Sequence, residues 1–150
     1  MDIRIALFIH VFSVATWFGC ITMMAMFLRD ASRSAELATM NQAIQKTQRW
    51  NVTMIIPTSV LALITGIYML VKGGAGEKAL WMLVKERFGS LVVIAFILLI
   101  LFYGRRLVKA LQGENITAEA GKKILGKYIM VLNITVLCML ILIFFVTMKF

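Results

Sequence analysis

The chain has 150 residues, 61% hydrophobic and 15% charged, with mean hydropathy +0.91 and a formal net charge of +9. Soluble domains are about 45–50% apolar and about 25% charged, so this composition excludes an ordinary soluble domain, and it is too hydrophobic for disorder. One proline and few alternating polar positions also argue against a membrane β-barrel, leaving an all-α integral membrane four-helix bundle as the expected class.

Four apolar runs are predicted to span, at about residues 5–28, 52–71, 87–106 and 128–147. Spanning takes about 20 mostly apolar residues, a length the third run reaches only by including Arg87 to Ser90 at its start. The first run is expected to remain as a span. It is longer than a leader's apolar region and lacks a small-x-small cleavage pattern. After it, Ser34 and Glu36 suit the N-terminus of a helix running through Ala43 and Trp50 into the second run. Pro57 deprives the Thr53 carbonyl of its helical donor and predicts a kink, with Thr58 and Ser59 placed to re-satisfy the backbone. Gly66 permits close helix approach, and Gly73-Gly74-Ala75-Gly76 ends the run. Thr117 with Glu119 starts the helix that leads into the fourth run.

Ten of the sixteen Lys and Arg residues fall in the 1–2 and 3–4 connections and six on the other side. The positive-inside rule then puts both termini outside the cytoplasmic membrane. The same charges, sitting between apolar runs, fit anionic lipid and not nucleic acid. Cys20 and Cys138 lie inside apolar runs and form no disulfide framework or zinc signature.

Polar side chains inside a bilayer are costly and so become candidates for function. His10, the one histidine, shares a helix face with Ser13, Val14, Trp17, Ile21 and Met24, which combines an imidazole, a hydroxyl and an indole. That face suits a planar cofactor or a single polar partner. The plainer alternative is an interfacial histidine bonded to a carbonyl or a water. Asn133 is the polar outlier of the fourth run, and its plain role is gluing helices by hydrogen bonding. Cys20, Met23 and Met24 are soft donors of the kind that suit copper(I), although methionine is also the common filler of irregular packing. No nucleotide-binding glycine loop or Ser–His–Asp order is present.

The stretch His10-Val-Phe-Ser13-Val-Ala-Thr16-Trp17-Phe18 resembles the first span of the HemJ-type protoporphyrinogen oxidases, in which a histidine is followed seven positions later by Trp-Phe. The similarity continues patchily through Pro57 to Gly66, Trp81 with Lys85, and Leu132-Asn133 with Lys149 and Phe150. Copper-resistance D-like (CopD-like) membrane proteins share the first-span histidine and tryptophan. The resemblance implies a four-span fold and haem b near His10, with electrons coming from a porphyrinogen or quinone. It also implies polar roles for Lys85 and Asn133. The chain departs from the pattern in having no second histidine and in placing Ile134 after Asn133. A bis-histidine haem within one chain is therefore excluded, and the other axial ligand would be Met, Lys or a group from a second protomer. Met69 is the expected intramolecular partner of His10, opposite it in the outer half of the bundle, with Lys85 and Lys149 toward the propionates. Outside that chemistry stand two alternatives: a scaffold subunit of a larger assembly, and copper handling. Lipid, a porphyrin or quinone, and further copies of the chain are the expected partners.

Overall fold

The computed structural model describes residues 2–34, 36–72, 85–113 and 116–148, with the side chains of Lys85 and Glu86 excepted. The described residues form five α-helices: α1 (Ile3–Arg33), α2 (Leu37–Trp50), α3 (Ile56–Lys72), α4 (Ser90–Leu111) and α5 (Ala118–Met148). There is no strand among the described residues. A π-helical turn, Asn51–Ile55, joins α2 to α3 without a break, and a second, Lys85–Gly89, leads into α4. Among the described residues, four helical stretches are long and apolar enough to cross a membrane: Ile3–Arg33, Leu37–Lys72, Arg87–Leu111 and Ala118–Met148.

Each stretch runs past the apolar run that announced it, and always at the same end of the bundle. There α2 buries Met40, Ala43, Ile44, Thr47 and Asn51, a 3–4 spacing that gives a helix one inward face. These side chains continue the core formed by Leu28, Leu107, Leu111 and Leu125. Gly121 allows the tight approach at this end, since a Cβ there would stand 3.1 Å from Leu37 Cδ1 and 3.3 Å from Leu111 Cδ2. At the other end, large apolar side chains face outward, among them Phe8, Phe12 and Val71. Such a surface is tolerated by lipid and not by water.

The π turn explains how the helix passes Pro57. The Ile56 N–H reaches back five residues to the Asn51 carbonyl, which widens the helix just before a residue that has no N–H to give. The hydroxyls then cover carbonyls as expected. Thr58 donates to Met54 O at 2.8 Å and to Ile55 O at 3.0 Å, and Ser59 donates to Ile56 O at 2.9 Å. The helix starts divide. Thr117 Oγ1 accepts from the Ala120 N–H at 3.3 Å, as the Thr117 reading requires. Ser34 instead turns back to donate to Ala31 O at 2.8 Å, so it closes α1 and leaves Glu36 as the residue before α2. The Gly73–Gly76 cluster and Trp81 lie outside the described residues.

Candidate functional site

Helix periodicity puts the His10 face inward. Ser13, Trp17, Ile21 and Met24 are all buried, and half-buried His10 sits just under one turn before Ser13, against α3. Its Nδ1–H donates to Ala62 O at 2.8 Å and lies 3.1 Å from Thr65 Oγ1. Because the Thr65 hydroxyl spends its own proton on Leu61 O at 2.7 Å, both neighbours of Nδ1 act as acceptors. Nδ1 must therefore carry a hydrogen, and in the neutral ring the lone pair resides on Nε2. Gly66 makes this closeness feasible: a Cβ there would stand 3.2 Å from His10 Cε1 and 3.6 Å from Nδ1. The glycine is needed for space, not for an unusual backbone angle.

His10 borders a cavity of about 430 Å³ between α1, α3, α4 and α5. Its wall is almost wholly apolar, with Val14, Leu63, Val93, Met139 and Leu142 prominent, interrupted by His10, Trp17, Ser90 and Thr147. Leu7, Val11, Ile67 and Ile143 also border it while remaining exposed, so the mouth faces lipid. Trp17 is 2% exposed and stacks edge-on against Phe96, with ring centroids 5.1 Å apart. Its indole Nε1 is buried without a hydrogen-bond partner. An unpaired buried donor costs about 1–3 kcal/mol.

The structure brings together His10 and Trp17 of the residues singled out from sequence, with Thr65 and Gly66 beside them. Met69 is half-buried and is not on the cavity wall. Asn133 is exposed on the outward face of α5, away from His10. The side chain of Lys85, with Lys149 and Phe150, lies outside the described residues. The soft donors diverge, for Met24 is buried whereas Met23, one residue earlier, is exposed. Among the described residues no three His, Cys, Asp or Glu side chains converge on a point.

Two features escaped the sequence reading. Met139, 3% exposed, is the thioether that borders the cavity. It sits in a helix apolar on every side, where no periodic signal marks the inward face. The second is a buried polar cluster at the other end of the bundle. There Asn51 Nδ2 donates to the Tyr128 hydroxyl at 3.1 Å, and both residues are fully buried. Thr47 Oγ1, Gln48 Nε2 and Asn51 Oδ1 are buried alongside without partners, and the Gln48 carboxamide fills the space that a Cβ on Gly104 would need.

A family model described as a predicted integral membrane protein, DUF2269, matches residues 4–149. No curated protein matches the chain, and no solved structure does.

Proposed function

The chain belongs to the DUF2269 family of integral membrane proteins, and from that premise we propose that it binds haem b, or a related porphyrin, in the His10 cavity within the bilayer. The observation that carries this reading is the pinned imidazole. A histidine that gives Nδ1–H to a backbone carbonyl is held in one orientation and one tautomer, with Nε2 as its basic nitrogen. Metal-ligating histidines are oriented in this way. The plain reading expected a carbonyl bond too, but it does not account for a cavity beside the ring.

The donor set fits such a group. About 430 Å³ of largely apolar space lies within the range of about 300–1,000 Å³ usual for small-molecule sites. His10 supplies a nitrogen ligand, and Met139 replaces Met69 as the thioether on the same cavity. The Trp17 ring supplies part of the wall. When bound, the haem would supply one-electron chemistry, at a potential raised by thioether ligation. The protein's own part is to hold the imidazole through Ala62 and Thr65, to keep the pocket dry, and to admit an apolar ligand from the lipid side. The likeness to HemJ-type oxidases in the first span points the same way and suggests a porphyrinogen or quinone as electron donor. In the same reading the ten-to-six charge asymmetry places the cavity in the outer half of a cytoplasmic membrane.

The test is titration of the purified protein with haem b. A saturable Soret band at one haem per chain, lost in His10→Ala and shifted in Met139→Leu, is the expected result. A protein that stays colourless through the titration refutes the reading and leaves the scaffold role in its place.

A further inference from the structure

The last helix carries an outward stripe that the rest of the chain leaves uncovered. Only 11% of the spanning window of α5 is buried within the chain, against 22–28% in the other three spans. Gly126, Met130, Asn133, Leu137 and Leu140 are all exposed and follow one another at alternating intervals of four and three. A 3.5-residue repeat is the seam of a left-handed helix pair, in which a helix wraps a partner at a shallow angle. The seam is apolar except at one position.

That position is Asn133. It lies six residues beyond Lys127, about 9 Å along the helix at 1.5 Å per residue. At this depth a carboxamide turned to hydrocarbon is costly. Other exposed polar residues on the spans solve the problem inside their own helix: Thr53 donates to Arg49 O at 2.9 Å and Thr147 to Ile143 O at 2.9 Å. The Asn133 carboxamide makes no hydrogen bond among the described residues, so it stands open to a partner in the bilayer.

We infer that α5 is the interface of a parallel homodimer, paired along this stripe with Asn133 meeting Asn133 of a second copy. The choice of a second copy follows from depth. Two identical chains inserted in the same direction and related by an axis normal to the membrane place the same residue at the same depth. The carboxamide is self-complementary as well, since its N–H can donate to the partner's oxygen while its own oxygen accepts. One polar residue in an otherwise apolar seam fixes register in this way. Gly126, where a Cβ would meet nothing within 4 Å, lets the two helices draw close at the charged end. The stripe lies away from Met139, Leu142 and Val146, so pairing leaves the His10 cavity open, and the inference stands independently of what the cavity binds.

The experiment is energy transfer between donor- and acceptor-labelled copies of the full chain, reconstituted in liposomes over a range of protein-to-lipid ratios. Wild-type protein should saturate as a dimer. Asn133→Ala should weaken association about 3- to 20-fold, the range set by hydrogen bonds between membrane helices, and Asn133→Gln should keep most of it. Because Asn133 is exposed and makes no hydrogen bond among the described residues, circular dichroism of these variants should match wild type. In a Cys20→Ala, Cys138→Ala background, oxidation should cross-link Leu137→Cys but not Phe102→Cys on α4. Transfer no greater than random proximity at every density would overturn the inference. So would equal association of wild type and Asn133→Ala, or cross-linking through Phe102→Cys in preference to Leu137→Cys.

Discussion

A single histidine makes the state of its ring directly observable, and that state is the first consequence of the α1–α3 contact. In the structure the Nδ1–H faces two acceptors, Ala62 O at 2.8 Å and Thr65 Oγ1 at 3.1 Å. A net hydrogen bond is worth about 0.5–1.5 kcal/mol, which favours the Nδ1–H tautomer about 2- to 13-fold, with the upper end expected in a water-poor site. Gly66→Ala perturbs this bias. The new Cβ would stand 3.2 Å from Cε1, so the ring must retreat by a few tenths of an ångström along α1, and the Ala62 bond lengthens out of its best range. Gly66→Val adds two further carbons on the same side and should dislodge the imidazole. The assay is nitrogen NMR of protein labelled with ¹⁵N-histidine, which reports one residue alone. Wild type should show a protonated Nδ1 and an unprotonated Nε2, Gly66→Ala a weaker preference, and Gly66→Val none. A wild-type ring that is protonated on Nε2 alone would refute the reasoning.

Replacing Trp17 by Phe removes a buried donor that has no partner but leaves a void where the larger ring packed. The two effects oppose, so ligand-free protein should change by less than about 2 kcal/mol in a reversible unfolding assay in bicelles, whereas haem affinity should fall with the lost wall contacts. Tyr128→Phe strands the Asn51 amide and should destabilise by about 1–3 kcal/mol, while Tyr128→Phe with Asn51→Leu should recover part of the loss; additive effects in that cycle would mean the pair is not coupled. Thr65→Val removes one of the two acceptors facing Nδ1 and should cost no more than about 1.7 kcal/mol in the same unfolding assay, because the Ala62 carbonyl still holds the ring.

What the sequence makes legible is whatever leaves a period or a rare residue. The four spans are visible as length, and the inward face of α1 as the 3.6 spacing from His10 to Met24, because polar and apolar residues contrast along that helix. Residues of α5 could not be assigned to faces in the same way. It is apolar on nearly every side, so Met139 turning inward and Asn133 turning outward follow only from where α1 and α4 pack. The π turn at Asn51–Ile55 is also hidden, since Pro57 announces a missing N–H but not how the helix absorbs the loss. The Asn51–Tyr128 pair spans 77 positions and depends on the end of α2 meeting α5, which no local pattern encodes.

The central claim is that His10 Nε2 is the nitrogen presented to a bound metal. Pulsed electron paramagnetic resonance of ferric haem-loaded protein, labelled only with ¹⁵N-histidine, tests it most directly. The account predicts a strong hyperfine coupling from one ¹⁵N to the iron, assigned to Nε2 and abolished in His10→Ala. Haem bound with no ¹⁵N coupling, or with the same signal in His10→Ala, would contradict it.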